Sequence, residues 1–117
     1  MKTKIIFTFL SLIFISVLSY SQDTVSSKEA KNFVGEEKIV TGPVASVFVS
    51  NKGTVLINFD EVNPNASFVG VVKAGTEGVD YSNIKKGVKL TLKGKIEDYN
   101  GKPEIIIKEQ SQILKVE

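Results

Sequence analysis

From Lys38 onward, apolar and polar residues alternate with a period of two, the pattern of strands with one face in a core and the other in water. The run Lys38 to Val49 is long and β-branched. Gly42-Pro43 inside it predicts a bulge or a sharp bend, because proline has no N–H for an interior ladder. Ser50-Asn51-Lys52-Gly53 supplies a turn, and Thr54 to Phe59 is a second strand with Val55, Ile57 and Phe59 on one face. Asp60 to Ser67, with its Asn and Pro residues, reads as a loop. Phe68 to Ala74 is a third strand, with Gly70 as a coiling point, which leaves Leu56, Asn58, Val69, Val71 and Lys73 facing outward.

Gly75 to Gly87 is the longest break in the pattern. Asp80 to Lys86 within it is read as a turn or two of helix with Tyr81 and Ile84 inward. Val88 to Tyr99 is the clearest strand: Val88, Leu90, Leu92, Gly94 and Ile96 alternate with Lys89, Thr91, Lys93, Lys95 and Glu97. Asn100-Gly101 predicts a type I′ hairpin, which needs positive φ at both central residues. The fifth strand runs from Pro103 to Lys108 with Ile105 and Ile107 inward, and it continues through Ile113 to Val116.

Two segments precede the strands. Ser26 and Glu29 have capping-box spacing, so a short helix is predicted with Ala30, Phe33 and Val34 on one face, ended by Gly35. Gln22 to Ser27 is small and polar and reads as a flexible stretch. Residues 1–21 have the layout of a cleavable signal peptide: Lys2 and Lys4, an apolar run from Ile5 to Leu18, and a small-residue exit at Ser19-Tyr20-Ser21. That run is too short for a membrane span, which needs about 20 apolar residues. With no cysteine near the exit, a lipoprotein anchor is excluded as well.

The pattern therefore predicts an exported product, periplasmic or extracellular, with residues 22–117 as one domain. Its fold is expected to be all-β, a five-stranded OB-type Greek-key barrel with a short N-terminal helix and a helical or irregular insertion between strands 3 and 4. No span is expected once the leader is removed.

Charge changes the functional picture. The chain has 15 basic residues, all Lys, against 13 acidic ones; Lys2 and Lys4 leave with the leader, so 13 then face 13. A neutral domain without Arg has little long-range pull on a polyanion and no bidentate guanidinium contact. With no His and no Cys, Ser-His and Cys-His nucleophilic pairs are impossible, and the adjacent carboxylates Glu36-Glu37, Asp60-Glu61 and Glu97-Asp98 point to opposite faces of an extended chain. No catalytic role and no cofactor are expected. Asn58, Asp60, Glu61, Asn63 and Asn65 gather oxygen ligands that suit calcium, but the spacing is not that of an EF-hand loop, and a solvated loop is the favoured reading. Lys89, Lys93 and Lys95, with Lys85, Lys86 and Lys102, are weighed as a phosphate-binding stripe against an ordinary solvated face, and the solvated face is favoured.

The segment Asn32 to Val44 followed by Gly53 to Phe59, and the later segment Gly94 to Ile105 with Gln112-Ile113 after it, resemble bacterial OB-fold domains of the nucleic-acid-binding superfamily. The resemblance implies single-stranded nucleic acid as the ligand, held across strands 2 and 3 and the loops Ser50 to Gly53 and Asp98 to Pro103. Lys52, Lys73, Tyr99 and Lys102 are the contacts it suggests, with Phe48 a further stacking candidate. Neutral charge and the aliphatic outward residues Leu56, Val69 and Val71 favour the alternative, a module that binds an envelope protein or a glycan.

Overall fold

A computed structural model describes residues 24–117; the leader assigned to residues 1–21, with Gln22 and Asp23, lies outside the described residues. The elements are β1 (Thr24–Ser26), a 3₁₀ helix (Ser27–Phe33), β2 (Glu37–Val49), β3 (Val55–Phe59), β4 (Phe68–Val72), β5 (Lys89–Lys95), β6 (Glu97–Tyr99), β7 (Lys102–Ile106), a 3₁₀ turn (Gln110–Gln112) and β8 (Ile113–Val116). Neighbouring strands follow the order β6-β7-β4-β3-β2-β5-β8, with β1 pairing β2. The contacts β1–β2 and β4–β7 are parallel and the rest are antiparallel.

The all-β expectation holds, but the described residues form eight strands where five were expected. Thr24–Ser26, read as flexible, pairs in register with Ile39, Val40 and Thr41. The long fourth strand is interrupted at Ile96, whose N–H donates to the Glu36 carbonyl at 2.9 Å and whose carbonyl accepts from the Gly35 N–H at 2.7 Å. The continuation of the fifth strand is separated from β7 by the 3₁₀ turn.

The N-terminal helix also differs. It is 3₁₀, and Ser26 makes no side-chain cap bond. At three residues per turn, positions i and i+3 eclipse, so Ser27, Ala30 and Phe33 share the inner side. Ser27 and Ala30 are buried, whereas Val34, expected inward, is 44% exposed.

Gly42-Pro43 is not a bulge against β5: both residues stay in register, opposite Leu90 and Lys89. The slip lies later, between Val44 and Ser46 against β3. Gly42 is needed for a different reason. A Cβ there would overlap Ser27 Oγ and stand 3.2 Å from the Phe59 ring, so the bare backbone is what lets the 3₁₀ helix seat on the sheet.

The stretch Gly75 to Gly87 takes the irregular alternative. Asp80 Oδ1 accepts from the Ser82 N–H at 2.9 Å, and the Asp80 N–H donates to Gln110 Oε1 at 2.6 Å. Such side-chain bonds offer the backbone an alternative to a helix. Ile84 is nonetheless buried and Tyr81 packs against the core, as expected. Asn100 and Gly101 have φ of 51° and 85°, the positive pair the hairpin requires.

The main core holds Val40, Val55, Ile57, Leu90, Leu92, Ile96, Ile105 and Ile107, with Phe59 and Phe68 edge to face at 5.1 Å between ring centres. An aromatic pair of this kind contributes about 0.5–1.5 kcal/mol beyond the area it buries. A Cβ on Gly70 would come within 2.9 Å of Leu92 Cδ1, so β4 is bare where Leu92 fills the centre. No helix among the described residues is long and apolar enough to cross a membrane.

Candidate functional site on the outer face of β3, β4 and β7

Alternation that sends Ile57, Phe68 and Ile105 inward sends their neighbours outward, and strand pairing lines those neighbours up in rows. Phe48 faces Leu56, Leu56 faces Val71, and Val71 faces Ile106, an apolar row across β2, β3, β4 and β7. In the next row Ser46 faces Asn58, Asn58 faces Val69, Val69 faces Glu104, and Glu104 faces Glu97 on β6. Both rows lie on the outside of the sheet, yet Val69 and Val71 are only 7% and 6% exposed. Together with Ala66, Leu56 and Ile106 they form a second apolar cluster, separate from the core.

The burial comes from two walls. On one side the loop Asp60 to Ser67 folds over the sheet, with Ala66 tucked against Val69 and Val71. On the other stands the β6–β7 hairpin. Lys102 Nζ donates to the Pro64 carbonyl at 2.6 Å and ties the two walls together. Asp60 anchors the base of the loop, its Oδ2 accepting from Ser27 Oγ at 2.7 Å and from Ser67 Oγ.

Between the walls is a groove of about 900 Å³ lined by Thr54, Leu56, Asn58, Asn63, Pro64, Val69, Val71, Lys73, Ala74, Tyr99, Asn100, Lys102, Glu104 and Ile106. All five residues expected outward on the second and third strands line it. Of the four expected contacts, Lys73, Tyr99 and Lys102 line it and Lys52 does not. Lys52 sits in an exposed turn that is closed on itself by Ser50, which holds the N–H groups of Gly53 and Thr54. Tyr99 is 64% exposed at the hairpin rim, free to meet a ligand. Phe48, 56% exposed, ends the apolar row without lining the groove.

Glu104, Ile106, Asn63 and Pro64 were not expected. Alternation from Ile105 and Ile107 already placed Glu104 and Ile106 outward; what strand periodicity alone withholds is that β7 lies beside β4 in parallel. The Glu104 carboxyl is held above the ordinary range, first by burial and then by the charge of Glu97, with Lys73 acting in the opposite direction.

The calcium alternative separates in space. Asn58 and Asn63 face the groove, whereas Asp60 and Glu61 line a different depression with Lys28 and Lys31. No group of three or more His, Cys, Asp or Glu side chains is arranged for a metal among the described residues. The lysine stripe is elsewhere too. Lys89, Lys93 and Lys95 are exposed on β5, opposite Pro43, Ile39 and Glu37 of β2, and none lines the groove.

No protein-family model and no curated protein matches the chain. Solved structures do. OBody AM1L10 bound to hen egg-white lysozyme has a TM-score of 0.56 at 21% identity, covering 77% of this chain and 90% of that one. OBody AM3L15 bound to hen egg-white lysozyme has a TM-score of 0.55 at 15% identity, covering 81% and 92%. These are OB-fold scaffolds, so the all-β architecture is of OB type.

Proposed function

We propose that the chain is an exported, non-catalytic OB-fold module whose β3–β4–β7 groove binds a segment of another protein. In this reading β5, Ile96 and β6 act as one bent strand that closes the OB barrel, β1 and β8 are additions to it, and the groove lies on the barrel's ligand face. The observation that carries the proposal is the floor: Leu56, Val69, Val71 and Ile106 form a continuous apolar strip outside the core, walled and rimmed by polar groups. Binding sites are mostly apolar concavities with a few placed polar groups. The groove offers little to a polyanion, since Lys102 is occupied with Pro64 and Glu104 is itself acidic. That the similar OB-fold scaffolds hold a protein, lysozyme, supports the same use of the fold.

Single-stranded nucleic acid remains a second reading because Lys73 and Tyr99 both line the groove, which gives one site a cation and an exposed aromatic. Stacking on such a ring contributes about 1–3 kcal/mol per base. Two measurements separate the readings. A photocrosslinking residue at position 99 is expected to capture a protein from an envelope extract, and the same residue at position 93 is not. Titration with fluorescent single-stranded oligonucleotides at low and moderate salt is expected to show no binding. Oligonucleotide binding that weakens with salt, with no protein adduct at position 99, would overturn the proposal in favour of nucleic acid.

A further inference from the structure

We infer that the groove selects a basic side chain: the bound segment presents a Lys or Arg between apolar residues, with its cation set against Glu104 and Glu97. This rests on the reading of the groove as a protein-binding site and names what that site recognises.

Glu97 and Glu104 face each other directly across β6 and β7. Like charges so placed destabilise an antiparallel pair; Lys73 offsets part of this for Glu104, and neither carboxylate makes a salt bridge among the described residues. The hairpin does not need them, since its turn is made by Asn100 and Gly101. Glu104 is half-buried in the groove wall with Val69 on its other side. The arrangement is unfavourable in the free protein and becomes favourable when a cation fills it.

Asn58 adds an uncharged acceptor to the same row. It is 3% exposed and lies in the same row, on the far side of Val69 from Glu104. Its Nδ2 donates to Ser46 Oγ at 3.0 Å. No fully buried side-chain polar atom among the described residues lacks a partner, so Asn58 Oδ1, which accepts no protein hydrogen bond, opens on the groove. The row thus presents acceptors at both ends, about 10 Å apart at two strand spacings. Ammonium and guanidinium groups carry donors only; one set against Glu104 leaves Asn58 Oδ1, two strands away, to an N–H elsewhere on the same segment. The parallel row of Leu56, Val71 and Ile106 takes the apolar neighbours of the basic residue.

Lys73 opposes the cation, which gives the inference a distinctive test. A display library of random short peptides is selected on the purified protein, and binders lost with Tyr99→Ala are kept as groove-dependent. They are expected to be rich in Lys or Arg flanked by apolar residues. Glu104→Gln should weaken them about tenfold or more, and Lys73→Gln should tighten them. Replacing the peptide's basic residue by Gln should match the loss seen with Glu104→Gln. Groove-dependent peptides that lack a basic preference and ignore Glu104→Gln would overturn this inference and leave the protein-binding reading standing. The absence of any groove-dependent peptide would remove both.

Discussion

The outer face of β3, β4 and β7 and the outer face of β2, β5 and β8 are built from the same alternation, yet they present opposite surfaces. On β5 the outward residues are Lys89, Thr91, Lys93 and Lys95, all open to water or nearly so. Thr91 shares a 3.0 Å hydrogen bond with Thr41, and Lys115 on β8 pairs with Glu117 at 3.5 Å. On β4 the outward residues are Val69 and Val71, nearly as buried as the core although nothing of the core touches them from that side. What differs is the wall. Among the described residues Lys89, Lys93 and Lys95 stay exposed, so alternation alone decides their environment, and lysine there discourages edge pairing. Over β4 a loop tied down by Lys102 and Asp60 shelters an apolar strip. A strand pattern reveals which side faces out, and only the loops decide whether out means water or a binding groove.

The sharpest way to break the comparison is to place a charge at equivalent outward positions. Val71→Asp should cost about 2–3 kcal/mol in denaturant unfolding, because a carboxylate would sit in a sheltered apolar strip. Lys93→Asp should move stability by no more than about 0.5 kcal/mol. Equal effects would show that the two faces are alike after all.

Gln112 is expected to be the costly residue near the lysine face. Its Oε1 accepts from the N–H groups of Lys108 and Glu109, at 2.7 and 3.1 Å, and its Nε2 donates to the carbonyls of Lys93 and Ile106, at 3.1 and 3.0 Å. Gln112→Ala should cost about 1–2 kcal/mol by thermal or chemical unfolding, with the loss concentrated in β8. Next comes Lys102→Met, which unties the groove walls. It should cost about 1 kcal/mol and speed amide hydrogen exchange at Asn65, whose N–H is bonded to the Val62 carbonyl across that loop.

The smallest effect carries a sign. Glu104 has a raised carboxyl pKa in the folded state, so the fold binds its proton more tightly than the unfolded chain does. The stability this gives is fully present below the ordinary glutamate range and is lost as pH rises through the raised value. Glu104→Gln should therefore stabilise the protein at neutral pH by about 0.2–0.5 kcal/mol, a cross-strand like-charge term reduced by solvent exposure. The gain should shrink as pH falls through the raised value and be gone below the ordinary glutamate range. A loss at neutral pH would mean that Glu104 is favourably paired.

Much of this was legible in the chain. The inward residues of the second, fourth and fifth strands, the Asn100-Gly101 turn, and the outward set Leu56, Asn58, Val69, Val71 and Lys73 follow from period-two alternation and turn chemistry. Other features escaped for physical reasons. Ser27, Ala30 and Phe33 share a face only if the helix is 3₁₀, and a capping-box spacing suggests an α-helix. Thr24–Ser26 is a strand because β2 has an unpaired edge for it, a tertiary fact. The bond from Lys102 to Pro64 spans 38 residues of sequence, so nothing local announces it. Glu104 entered the site through the parallel pairing of β7 with β4, which no local pattern announces.

In the proposed function the sheltered face, and not the lysine face, is where this protein meets its ligand. Backbone NMR of the isotope-labelled protein, titrated with a peptide selected on the wild-type protein without regard to its site, tests it directly. Shift changes are expected at Leu56, Asn58, Val69, Val71, Tyr99, Glu104 and Ile106, with Lys89, Lys93, Lys95 and Lys115 unmoved. Shifts centred on β5 and β8 with a silent groove would contradict it.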